Sequence, residues 1–219
     1  MKTREFAALG RTLLPRLPDF AVKGSLVFKA PIEDILYGFD FDGSDSGPRA
    51  FYLSAFLMPL YIPSQFTHFL FGKKLGGQNN LFQADQANIT FELEHVIQEE
   101  GLPFFGSVSC LESVLAFLKP KVFREDGGYV NPHAQEAFAY TLIRSGDYLM
   151  GMDALKRFEA LLSPTNRMDD AFRLRAQLIR EKMSMGPDSA QLQLDAWRAE
   201  TLQHLKLEDY AKKVHRTGQ

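Results

Sequence analysis

Cysteine and net charge are what this sequence has least of, and each scarcity excludes a class of protein. Cys110 is the only cysteine, so the chain can form no internal disulfide and offers no cysteine pair to a zinc ion. Its apolar neighbours Val108, Leu111 and Val114 predict that Cys110 is buried. The 25 Lys and Arg nearly balance the 27 Asp and Glu. This balance does not favour nucleic acid or an anionic membrane surface as a partner.

Long hydrophobic runs are also missing. The most apolar stretch, residues 50–62, contains Pro59 and is shorter than the roughly 20 residues that cross a bilayer. Near the N-terminus, Arg11 and Arg16 interrupt the apolar residues too early for a signal peptide. The sequence therefore predicts a cytoplasmic protein with no membrane partner.

Phenylalanine is abundant, and its distribution divides the chain. Of the 19 Phe, 16 lie at or before Phe123. Residues 121–131 are framed by Pro120 and Pro132 and contain a Gly-Gly pair, a composition typical of a connector. We therefore predict an α+β domain over 1–120, a connector over 121–131 and a helical domain over 132–219.

The first domain is predicted to hold a small, mostly antiparallel sheet flanked by helices. Turn formers fill residues 42–48 between two apolar runs, which predicts a β-hairpin with a long tip. Strands grouped between helices, and not alternating with them, indicate an α+β fold. The predicted helices cover 2–14, 84–100 and 109–118, and the predicted strands 21–30, 35–41, 50–62 and 66–71, with an apolar loop over 102–105.

The second domain has the periodicity of helices throughout. Asn131 and Pro132 are typical of a helix start, and this helix is predicted to end at Gly146. Three further helices follow, of which the last contains Trp197. We expect Trp197 to be at least half buried. A regular apolar stripe on the second of the four helices should also be buried: Tyr148, Met152, Leu155, Phe158 and Leu162.

The segment Phe39-Asp40-Phe41-Asp42-Gly43-Ser44 resembles the first motif of haloacid-dehalogenase-type phosphotransferases. The resemblance implies that Asp40 attacks phosphorus and Asp42 serves as general acid and base. It also implies a magnesium site near Asp147 and Asp153, and a lysine such as Lys119 or Lys121. Against it, a turn and a strand are predicted after Ser44, where the family has a helix. The preferred interpretation is the acidic tip of a hairpin.

Other site patterns are incomplete. An EF-hand over Asp40, Asp42 and Asp45 fails because Asp45 stands where the loop requires glycine. Glu92-Leu-Glu94-His95 has the Glu-x-x-His spacing of di-iron bundles, but no second copy exists. Gly72-Lys73-Lys74 lacks the order of a phosphate-binding loop. We therefore predict no catalytic residue, no metal site and no cofactor.

The helical half carries one repeat-like signal. Glu136-Ala137-Phe138 and Asp170-Ala171-Phe172 lie 34 residues apart, which is the period of tetratricopeptide repeats. The rest of the repeat pattern is loose, so two ordinary helix pairs are the preferred interpretation and a true repeat is the alternative. In both cases the helices stack as hairpins, an arrangement that usually binds other proteins.

Five features follow one another over about 1–118: the opening helix, the hairpin, the run from Phe56 to Pro63, the segment 71–76, and the helix that ends in Leu102-Pro103-Phe104-Phe105. Their order resembles bacterial α+β domains of the immunity-protein type. We therefore predict a non-catalytic protein-binding module. The resemblance implies, more narrowly, an inhibitor that binds a bacterial toxin, with the tip carboxylates of Asp40, Asp42 and Asp45 as the partner contact. A magnesium-dependent phosphatase using Asp40 and Asp42 is the alternative.

Overall fold

The computed structural model describes residues 2–76, 81–123, 131–163 and 165–212. Contacts divide the chain into two compact units. Unit 1 comprises the described residues of 1–59, 65–106 and 202–219, and unit 2 those of 60–64 and 107–201. Most of the predicted connector, residues 124–130, lies outside the described residues, so the connector stays a prediction.

Unit 1 is an α+β domain, as predicted. Its strands are β1 (Phe20–Lys23), β2 (Leu26–Lys29), β3 (Ile35–Gly43), β4 (Ala50–Pro59), β5 (Phe71–Lys74) and β6 (Leu81–Gln83). Its helices are α1 (Thr3–Leu13), α2 (Ile89–Val96), which continues as a π-helical turn over Ile97–Gly101, and α3 (Leu102–Gly106).

The sheet is antiparallel throughout its described strands, in the order β1-β2-β3-β4-β5, with β6 paired to β4. Its longest pairing is the predicted β3–β4 hairpin, which runs from Ile35 opposite Pro59 to Gly43 opposite Phe51. Successive side chains on a strand point to opposite faces, so this pairing gives the sheet two distinct faces.

One face of the sheet carries the aromatic core of unit 1. Phe39 and Phe41 of β3 and Phe51 of β4 are almost fully buried there, beside Phe6 of α1 and Leu93 of α2. The Phe6 ring lies 5.9 Å from that of Phe41 and 6.0 Å from that of Phe51. Each buried phenylalanine stabilises the fold by about 1.5–3 kcal/mol, so this face holds the helices on the sheet.

Three local predictions in unit 1 were wrong. Residues 21–30 form two strands, because Gly24 adopts a φ of 63° at the first position of a two-residue turn. The strand expected over 66–71 begins only at Phe71, since Phe66, Phe69 and Leu70 are exposed and do not alternate. The loop expected over 102–105 is helix α3.

Gly101 marks a helix boundary that was predicted wrongly. The predicted helix over 84–100 ends before this glycine, but the helical path continues through it into α3. Gly101 is buried, and a Cβ there would collide with the ring of Phe39. Close packing against the sheet, and not helix termination, is therefore the reason for a glycine at this position.

The chain returns to unit 1 after residue 201. The backbone N–H of Ile32 donates to the carbonyl of Tyr210 at 2.8 Å, and the N–H of Lys212 donates to the carbonyl of Ile32 at 2.8 Å. The Tyr210 ring packs edge-on against Phe28, with centroids 5.0 Å apart. This returning segment, residues 206–212, thus forms part of unit 1.

Unit 2 is helical in its described residues, which confirms the fold class of this half. Its helices are α4 (Leu111–Val122), α5 (Pro132–Arg144), α6 (Tyr148–Leu161), α7 (Asp170–Met185) and α8 (Pro187–Leu205), the last of which continues past residue 201 into unit 1. As predicted, Asn131 caps α5, accepting a hydrogen bond from the His133 N–H at 3.0 Å. Cys110, predicted to be buried, is exposed at the start of α4.

Helix α5 is enclosed, with every residue from Ala134 to Ile143 buried. Trp197 of α8 packs on Tyr140 and is only 6% exposed, which confirms the prediction for this tryptophan. Of the predicted stripe on α6, Leu155, Phe158 and Leu162 are buried, while Tyr148 and Met152 are partly exposed.

A charged pair also lies in this enclosed region. The Arg175 guanidinium of α7 donates from Nε and Nη2 to the two carboxylate oxygens of Glu136, at 2.6 and 3.0 Å. Glu136 is 1% exposed, and burial raises the pKa of its carboxyl while the Arg175 hydrogen bonds oppose that shift. Removing one partner of such a pair leaves a buried charge unpaired.

We expect the substitution Arg175→Met to lower the free energy of unfolding by about 3–5 kcal/mol, because Glu136 then loses its counter-charge. The double substitution Glu136→Met with Arg175→Met should lower the free energy of unfolding much less, since no charge remains buried. Urea denaturation followed by circular dichroism measures both. The control is Arg180→Met, which removes the more exposed pair with Glu159 and should cost less than about 1 kcal/mol. Equal losses for Arg175→Met and Arg180→Met would contradict this account.

Candidate functional site

Five polar side chains share the face of the sheet opposite the aromatic core. In the strand register, Asp40 lies opposite Ser54, and Asp42 lies opposite Tyr52. Ser54 in turn lies opposite Lys74 of β5. Directly paired residues of antiparallel strands project from the same face, so these five residues form one surface, called here the polar face.

Asp40 is the buried member of the polar face. It is 6% exposed, and the Ser25 hydroxyl donates a hydrogen bond to its Oδ1 at 2.7 Å. Burial raises the pKa of Asp40 to about 6; the Ser25 hydrogen bond opposes the shift, and the charge of Asp42 adds to it. Asp40 therefore changes its charge within a pH range in which an ordinary aspartate stays ionised.

Asp42 and Asp45 lie at the exposed end of the same hairpin. Backbone hydrogen bonds hold this turn: the Ser44 N–H donates to the Ala50 carbonyl at 2.9 Å, and the Ala50 N–H donates to the Gly47 carbonyl at 3.1 Å. The hairpin thus brings the three predicted partner-binding aspartates to one end of the sheet. Only Asp42 and Asp45 present their carboxylates to solvent.

Lys74 adds a positive charge to the polar face. Its Nζ lies 3.8 Å from the centroid of the Tyr52 ring, a cation–π contact. Lys73, its neighbour on β5, points to the other face and pairs with Glu100 at 3.4 Å. Tyr52, Ser54 and Lys74 were not predicted as site residues. The two strands of a hairpin can be paired residue by residue, starting at the turn. This pairing would have placed Tyr52 opposite Asp42 and Ser54 opposite Asp40.

The residues implied by the phosphotransferase resemblance have other surroundings. A turn and the antiparallel strand β4 follow Asp42, where that family has a helix. Asp147 caps α6, accepting a hydrogen bond from the Met150 N–H at 3.2 Å, and Asp153 pairs with Arg157. Lys119 and Lys121 lie in the last turn of α4, in unit 2.

The described ranges contain neither a metal cluster nor a membrane-spanning helix. There, no three His, Cys, Asp or Glu side chains come close enough together to hold a metal ion. No single helix among the described residues is both long and apolar enough to cross a membrane.

Comparison with protein-family models, with curated proteins and with solved structures found no match for this chain. The resemblances to immunity-type domains and to tetratricopeptide repeats therefore stay predictions.

The raised pKa of Asp40 predicts how stability depends on pH. The folded state holds this proton up to about pH 6, whereas the unfolded chain releases it near pH 3.8. The stabilising contribution is therefore complete below pH 3.8 and is lost as the pH rises through about 6. The shift of about two pKa units corresponds to about 3 kcal/mol.

We expect the substitution Asp40→Asn to remove this pH dependence, because the amide oxygen still accepts from Ser25 and carries no charge. Relative to the wild type, the variant should gain up to about 3 kcal/mol in free energy of unfolding between pH 4 and pH 7. Urea denaturation at several pH values measures the difference. Asp19→Asn, at an exposed aspartate of the same unit, is the control and should track the wild type. A constant difference between Asp40→Asn and the wild type across this range would contradict the prediction.

Proposed function

We propose that this chain is a non-catalytic protein-binding module that presents the polar face and the end of the β3–β4 hairpin to a basic partner. The observation that carries the proposal is the exposure of Asp42 and Asp45 on a hairpin whose core side is fully packed. Within the part of the chain that the structure describes, neither carboxylate forms an ion pair.

Rigidity supports binding because little conformational entropy is lost when the partner docks. Nine residue pairs join β3 to β4, and the rings of Phe41 and Phe51 pack 5.7 Å apart beneath the exposed end. The strand pairing and the hydrogen bonds of the turn therefore hold the backbone of Asp42 and Asp45 in place before any partner arrives. Fixed charges of one sign favour specificity and fast association with a surface of the opposite sign.

The resemblance to immunity-type domains supports a narrower form of the proposal. In that form, the partner is a bacterial toxin with a basic active site, and the chain inhibits it in the bacterial cytoplasm by covering that site. Carboxylates offered to a basic surface are the chemistry that such inhibition requires.

We expect the double substitution of Asp42→Asn and Asp45→Asn to reduce partner capture at least tenfold, because two fixed charges are lost from the contact. The measurement is affinity purification from native lysate at low salt, with the captured protein quantified by mass spectrometry and its affinity then determined by calorimetry. Capture should also weaken as salt is raised. The control, Asp19→Asn with Asp209→Asn, removes the same charge at two exposed positions of unit 1 away from the hairpin and should capture as the wild type does.

Two outcomes would count against this proposal. Capture of the same partner by the Asp42/Asp45 variant at wild-type level would place the contact elsewhere. Recovery of no stoichiometric partner at any salt concentration would remove the support for a binding module.

A magnesium-dependent phosphatase is the second candidate, and the position of Asp40 and Asp42 two residues apart on one face of β3 is the observation that favours it. With a pKa of about 6, Asp40 is mostly ionised at neutral pH, as the nucleophile of this candidate must be, and Asp42 is its general acid and base. This candidate predicts magnesium-dependent hydrolysis of p-nitrophenyl phosphate that Asp40→Asn abolishes and Asp19→Asn leaves unchanged. Wild-type hydrolysis no faster than the buffer blank would end it.

A further inference from the structure

The polar face contains a pairing of residues suited to one kind of side chain. Asp42 and Tyr52 lie directly opposite each other on β3 and β4 and project from the same face. Asp42 is exposed and Tyr52 is partly exposed. Side chains of directly opposite residues lie close together, so this pair offers a cation both a carboxylate as charge partner and an aromatic ring as stacking surface.

The ring of Tyr52 already holds a cation. Lys74 reaches across from β5 and places its Nζ 3.8 Å from the ring centroid. Among the described residues, Lys74 makes no ion pair with any carboxylate, although Asp42 shares the polar face. The ring contact is thus the interaction that positions this ammonium group, and at an exposed site such a contact is weak.

We propose that the polar face receives an arginine side chain of the basic partner, which replaces Lys74 over Tyr52 and pairs with Asp42. This inference rests on the proposed function and names the chemistry of its contact. The planar guanidinium can stack on an aromatic ring and donate two hydrogen bonds to a carboxylate at the same time. An ammonium group, in contrast, is a compact, strongly hydrated charge. Lys74 moves into solvent when the arginine binds, so its weak contact limits the affinity only slightly.

The test is a titration of the isotope-labelled chain, followed by NMR, with acetyl-Gly-Arg-Gly-amide as the probe. The lysine peptide of the same form and the uncharged citrulline peptide are compared with it. We expect the arginine peptide to bind most tightly and to shift the amide signals of Asp42, Tyr52 and Lys74. The citrulline peptide should produce no saturable shifts.

Two neighbouring lysines provide a matched pair of variants. Lys74→Met removes the competing cation from Tyr52 and should tighten binding of the arginine peptide about two- to fivefold, which is the effect of one exposed cation–π contact. Lys73→Met removes a charge one residue away on the opposite face and should change binding much less. Asp42→Asn and Tyr52→Leu should each weaken binding of the arginine peptide. If Tyr52→Leu does not fold, the comparison of Lys74→Met with Lys73→Met still tests the inference.

Three results would overturn the inference. They are equal affinity for the arginine and lysine peptides, equal effects of Lys74→Met and Lys73→Met, and no binding of the arginine peptide to the Lys74→Met variant. Capture of the partner protein by the variants distinguishes a failure of this inference from a failure of the proposed function. If the Asp42/Asp45 variant loses the partner while Tyr52→Leu retains it fully, protein binding stands and the arginine contact is wrong.

Discussion

The pairing of β3 with β4 is the constraint on which the rest of unit 1 depends. A shift of one residue in this register would exchange the two faces of the sheet and turn Phe39, Phe41 and Phe51 away from the helices that cover them. The same shift would turn Asp42 toward the aromatic core. The aromatic core and the polar face are therefore consequences of one set of backbone hydrogen bonds, and neither can change without the other.

This arrangement places one ionisable side chain, Asp40, in an unfavourable environment. Its position in the alternation places it on the polar side, yet its surroundings leave it almost without contact with water. The Ser25 hydroxyl offsets only part of that desolvation, so the carboxyl holds its proton to a higher pH than an ordinary aspartate does. A destabilising ionisable group on a surface that is otherwise well packed is common at functional sites, which supports the polar face as the candidate site.

The parts of the fold that local chemistry determines could be predicted from the sequence. The hairpin could be predicted because turn formers fill 42–48, and α5 because Asn131 and Pro132 define its start. The failures have a different physical origin. The helix end predicted at residue 100 is wrong because Gly101 is selected by its packing against Phe39, which lies far away in sequence. The predicted burial of Cys110 is wrong because a helix start can expose one residue among apolar neighbours.

In the candidate site, too, local features could be predicted from the sequence and long-range contacts could not. Asp40, Asp42 and Asp45 lie close together along the chain, so the sequence could show them as a group. Tyr52, Ser54 and Lys74 join them only through pairing between three strands, and that register is set by tertiary packing. Any reading of single motifs would miss a surface assembled in this way.

The return of residues 206–212 to unit 1 has a consequence for how the protein is made. A ribosome delivers the sheet first, then the helices of unit 2, and only then the residues that bond to Ile32 and pack on Phe28. Domains generally fold as their segments emerge, at about 5–20 residues per second. Unit 1 must therefore wait, with one surface uncovered, while about a hundred residues of unit 2 are synthesised, which at that rate takes on the order of 5–20 seconds. During this interval the nascent chain depends on its aromatic core, and on any chaperone that covers the Phe28 side, to avoid aggregation.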